Sequence, residues 1–71
     1  MGKIGPAAVP ALVIALEDKD VDLRSSAAKA LGYIGPAAKD AVPALAKLLD
    51  DKDELVRDNA QSALKKIKAE K

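Results

Sequence analysis

A chain of 71 residues is one domain at most, near the lower limit of what folds unaided. Hydrophobic residues make up 49% of it but aromatics only 1%, so its core must be aliphatic and alanine-rich, with net stability on the order of a few kcal/mol. A net charge of +1 offers no global field for nucleic acid or an anionic membrane, and the absence of Cys and His removes disulfides, thiolate chemistry and the commonest metal ligand and general base.

The opening M-G-K-I-G-P-A-A carries no signal-peptide pattern, and no apolar run approaches the roughly 20 residues of a membrane span. A soluble, cytoplasmic protein is therefore expected. From Pro10 to Leu16 a short helix is predicted, with its proline in the opening turn, where a missing N–H costs nothing. The turn D-K-D follows, and Asp20 stands where an N-cap belongs. The next helix places Leu23, Ala27, Ala30, Leu31 and Ile34 on one stripe, expected to be buried. Gly32, Gly35 and Pro36 form its stop signal.

The pattern then begins again. V-P-A-L at Val9 returns at Val42, and L-E-D-K-D-V-D-L-R from Leu16 returns as L-D-D-K-D-E-L-V-R from Leu49, both at an offset of 33. Ala27, Ala30, Leu31 and Ile34 have their counterparts in Ala60, Ala63, Leu64 and Ile67. Only G-P-A-A recurs at 30, because Lys39, Asp40 and Ala41 are extra in the second copy and read as a loop insertion. The second copy thus predicts a helix from Ala41 to Leu49, a cap at Asp53 and a final helix. No segment alternates with period two over strand length, so the fold class is all-α: four helices as two antiparallel hairpins.

The V-P-A-L opening, the D-x-D-x-x-(L/V)-R junction and the A-x-x-A-L-x-x-I close together resemble HEAT repeats, in particular the short type called phycobilisome-lyase HEAT-like repeats. The resemblance implies an α-solenoid, with first helices on the convex side and second helices lining a concave groove. It also implies a ladder between repeats built from Asp18, Asp20 and Arg24 with Asp51, Asp53 and Arg57. Capping and pairing at a helix mouth account for the same residues in structural terms. In function it implies a non-catalytic scaffold or protein-interaction module, or an accessory piece of a bilin lyase, for which nothing in the chain resembles a chromophore site.

Positions at which the copies differ divide the chain further. Residues 1–71 form a single domain: 1–8 a remnant of a preceding repeat, 9–35 the first repeat, and 36–71 the second with a polar C-terminal cap. The remnant is read from Met1 and Ile4, which align with Leu31 and Ile34 at the offset of 30. The cap is read from Gln61, Lys65 and Lys68, which replace the small residues Ala28, Gly32 and Gly35. At the front, Val13 and Ile14 replace Ala46 and Lys47 and add apolar surface. In one reading Ile4 and the N-terminal segment partly cover this surface. In the other a partner or a second copy lies against it, with Ile4, Val13 and Ile14 as candidates for self-association, which would make the chain an assembly element and a homo-oligomer. Leu55, opposite Asp22 of the first copy, is a second possible apolar contact.

No catalytic, cofactor-binding or metal-ligating residue can be nominated. D-K-D lacks the length, glycine and distal glutamate of a calcium loop, and no phosphate-binding glycine motif is present. K-K-I-K, from Lys65 to Lys68, suits a solvated final turn, its cations favoured by the helix dipole. The expected partners are proteins or further repeats, with neither nucleic acid nor membrane among them. A recognition surface is expected on the outward face of the second helices, at the equivalent pairs Ser26 and Asn59, Lys29 and Ser62, Tyr33 and Lys66.

Overall fold

The computed structural model describes residues 8–68. Its α-helices are α1 (Val9–Ala15), α2 (Val21–Ile34), α3 (Val42–Lys47) and α4 (Glu54–Lys68), with 3₁₀ segments at Gly35–Ala41 and Leu48–Asp50. Among the described residues no strand is present.

The expectation of four separate helices is corrected: from 21 to 50 the helical segments follow one another with a bend at Gly35 and no intervening loop, so the segments fall into three runs. The stop signal ends α2 at Ile34 with Gly35 as its C-cap, but what read as a loop insertion is part of a 3₁₀ helix, and its geometry gives the reason. With 3.0 residues per turn, residues three apart share one face, and Gly35, Ala38 and Ala41 are all buried while Pro36, Ala37, Lys39 and Asp40 are exposed. The three extra residues add one turn of this helix and therefore keep its buried face in register. Gly35 makes the bend itself, with φ 76° and ψ −145°, while its N–H still donates to the Leu31 carbonyl. Only glycine reaches that backbone region without strain.

Leu16, Leu31, Leu45 and Val56 are the largest fully buried side chains, and alanines at 27, 28, 38, 41, 60 and 63 fill the space between helices. The most extensive helix contact joins α2 to α4. These run parallel, since Ser25 meets Asn59 near one end and Gly32 meets Ala63 near the other. A Cβ on Gly32 would lie 3.1 Å from the Ala63 Cα, so the small residue sets how closely the helices approach.

The stripe predicted on α2 is only partly buried. Leu23 is 42% exposed, and Ala30 and Ile34 are half-buried, whereas their counterparts Val56, Ala63 and Ile67 are buried. One translation explains all three differences. The second copy leans its leading side on the first, and none of the described residues stands before the first copy in the same way. Val13 also departs from expectation, packing half-buried against the core, while Ile14 beside it is 75% exposed. Ile4 and the proposed remnant at 1–8, apart from Ala8, lie outside the described residues.

Candidate functional site

Two sets of polar residues lie between the repeats, and they differ in what they are occupied with. The first is the D-K-D junction. Asp18 Oδ1 accepts from the Asp20 N–H at 2.9 Å, and Asp51 Oδ1 accepts from the Asp53 N–H at the same distance. Asp20 Oδ1 then caps α2 by accepting from the Asp22 N–H, and Asp53 Oδ1 caps α4 by accepting from Leu55 and Val56. Each side chain thus satisfies an N–H that the helix cannot. One turn into each helix an arginine reaches back. Arg24 Nη1 donates to the Asp18 and Lys19 carbonyls at 2.7 and 3.1 Å, and Arg57 Nη1 to those of Asp51 and Lys52 at 2.6 and 3.1 Å.

The within-repeat partners of both arginines are carbonyls, where a sequence reading suggests carboxylates. The carboxylate contact crosses between repeats: Arg24 Nε lies 3.0 Å from Asp51 Oδ2, with the side chains only 20% and 11% exposed. This is an ion pair more than a well-aligned hydrogen bond. The Nε–H, which is out of water, does not point at an acceptor, and Nη2 donates to Oδ1 at a long 3.4 Å. Asp51 titrates below the ordinary aspartate value of 3.8, chiefly because the Asp53 N–H donates to it. Arg24, through its hydrogen bond and charge, and the charge of Arg57 add to this, while partial burial opposes it. These groups are held in place by one another, which makes the junction a fastening between repeats.

The second set lies on the exposed side of α2 and α4. A groove of about 330 Å³ opens between the helices, lined by Asp22, Ser25, Ser26, Lys29, Leu55 and Asn59. Three of the six residues nominated from sequence, Ser26, Lys29 and Asn59, come together here. Asn59 Nδ2 donates to the Ser25 carbonyl at 3.1 Å and ties the two walls together. Tyr33 and Lys66 lie further along, with the ammonium 5.0 Å from the ring centroid, a cation–π contact. Ser62 is exposed on α4 but does not line the groove.

Asp22 and Ser25 were not nominated, although a signal for Asp22 was present. It lies one helical turn before Ser26, as Leu55 lies one turn before Asn59, so each stripe extends by a residue at i−4. Ser25 had no such signal: it is buried, and its hydroxyl donates to the Asp22 carbonyl. Among the described residues no cluster of three or more acidic side chains is placed to hold a metal ion. No helix among them is long and apolar enough to cross a membrane.

Paired helices that repeat by translation, fastened to each other by the Arg24–Asp51 pair, define a helical-repeat protein of the α-solenoid kind. A family profile described as HEAT repeats matches residues 1–71, and the chain belongs to that family. HEAT repeats generally serve as protein-interaction scaffolds. No curated protein and no solved structure matches the chain significantly.

Proposed function

We propose that this chain is a non-catalytic protein-interaction module whose contact surface is the outward face of α2 and α4. One observation carries the reading: the junction acids and arginines are engaged in capping and fastening, while the residues lining and continuing the groove are largely free for a partner. Ser26, Lys29, Tyr33, Asn59, Ser62 and Lys66 are the contact residues of this reading, with Asp22 and Leu55 added by the groove. Aromatic and cationic side chains on a rigid helix face are suited to such contacts.

Selection from a random peptide library, followed by ¹⁵N–¹H mapping of the bound peptides, tests the surface. Shifts centred on Ser26, Lys29 and Asn59 are expected. Shifts centred on Ile14 and the other side of α1 would refute it.

A second reading rests on the exposed Leu23, whose counterpart Val56 is covered by the preceding copy. In it, the leading face of the first repeat is covered by a second copy of the chain or by a further repeat. A second copy would make the protein self-associate, with Ile4, Val13 and Ile14 in or near the contact. Sedimentation over a range of concentrations tests this, since a monomer that unfolds cooperatively throughout would sink it. Ile14→Lys should break any dimer and leave a folded monomer. The narrower reading, an accessory piece of a bilin lyase, rests on repeat type alone. Incubation with bilin and an acceptor protein tests it, and unmodified acceptor would count against it. A cytoplasmic location and the absence of nucleic-acid partners belong to the same proposal.

A further inference from the structure

We propose that the α2/α4 groove takes a short extended peptide carrying one basic and one acidic residue three positions apart, with an apolar residue beside the basic one. The proposal rests on the reading of this face as the interaction surface and adds the chemistry of what enters it.

Size comes first. A groove of about 330 Å³ has room for a few residues of extended chain. The charges then set the register. Asp22 and Lys29 both line the groove and stand seven residues apart on α2, about 10 Å along the axis. Three residues of extended peptide in the polyproline II conformation, at about 3.1 Å each, cover nearly the same span, and three residues per turn bring both side chains to one face. A basic side chain at one end and an acidic one at the other therefore meet opposite charges together.

The second wall orders the rest. Leu55 is 57% exposed, lines the groove and occupies the α4 position equivalent to Asp22, so the apolar contact lies at the acidic end. Asn59 is held by its Nδ2 bond to the Ser25 carbonyl, which leaves its Oδ1 to accept from a peptide N–H. At the other end Tyr33 follows Lys29 by one turn and carries the Lys66 ammonium against its ring. A second cation thus stands near the place where the acidic residue would dock. A uniformly acidic segment meets Asp22, and a uniformly basic one meets Lys29 and Lys66.

The test uses the whole ¹⁵N-labelled chain and peptides of one length with Gly-Ser flanks: K-L-S-E, and the controls K-L-S-K and E-L-S-E. Each is titrated into the wild type, Asp22→Lys and Lys29→Glu, with thermal circular dichroism confirming that the variants fold. K-L-S-E is expected to shift the amides of Asp22, Ser26, Lys29 and Asn59 and to bind about five-fold tighter than either control, the effect of one exposed ion pair. Asp22→Lys should move the preference to E-L-S-E, and Lys29→Glu should move it to K-L-S-K. Groove shifts with no charge preference, or with a preference unmoved by the substitutions, overturn this ligand chemistry and leave the interaction surface standing. Shifts confined to other faces, none with any peptide, or groove shifts that grow with protein concentration alone overturn both.

Discussion

Replacing Arg24 by methionine should cost more stability than the same change at Arg57, although the two residues repeat each other at an offset of 33. Within its own repeat each arginine donates from Nη1 to two carbonyls, at nearly equal distances. Those losses cancel in the comparison. Among the described residues Arg24 alone also pairs with a carboxylate of the next repeat, across 3.0 Å. A fully exposed pair contributes about 0–1 kcal/mol, and removing one partner of a buried pair costs about 3–5 kcal/mol. With side chains 20% and 11% exposed and imperfect alignment, the excess cost at Arg24 should lie between these limits, near about 1–2 kcal/mol. For a domain of this size that corresponds to about 5–15 °C in Tm. Urea unfolding of Arg24→Met, Arg57→Met, Asp51→Asn and the Arg24/Asp51 double variant supplies the measurement. Asn at 51 keeps an oxygen for the Asp53 N–H, so the double-variant cycle isolates the charge pair. Equal costs at the two arginines, with a coupling inside the usual additivity error of about 0.3–0.5 kcal/mol, would refute the fastening.

The same carboxylate sets an acid dependence. Because the folded-state value of Asp51 is lowered, the unfolded chain binds more protons there, and this contribution is complete above the ordinary value of 3.8. Stability should fall as pH drops through the lowered value, and Asp51→Asn should flatten that part of the urea-midpoint profile. Gly35→Ala should cost about 1–3 kcal/mol from backbone strain, since φ is 76° and open space surrounds the missing Cβ; an unchanged melting temperature would contradict this. Val56→Ala should lower the urea midpoint by more than Leu23→Ala, although leucine loses more atoms, because Val56 is fully buried and Leu23 is 42% exposed. The reverse order would show that the leading face of the first repeat is covered.

Much of the fold could be read from the residues in order. The offset of 33, the prolines in the opening turns and the aspartates at the helix mouths are local signals, set by backbone chemistry within a turn or two. They located the helices and caps to within a residue or two. Three features needed the tertiary structure. G-P-A-A-K-D-A contains turn-forming residues and became a 3₁₀ helix because Ala38 and Ala41 could be buried against α4 and its neighbours. Leu23 and Val56 occupy one place in the repeat yet differ in burial, because burial depends on what lies beside a residue and not on its position in a motif. The candidate site divides in the same way. Periodicity identified the two outward stripes, but only the packing of α2 on α4, set by Gly32 against Ala63, joined Ser26, Lys29 and Asn59 to Asp22 and Leu55 in one groove. The sequence by itself determined the repeat and its caps, since those are short-range. Which carboxylate Arg24 meets, and which side chains line a groove, depend on separations across two helices, and those were decided when the repeats packed.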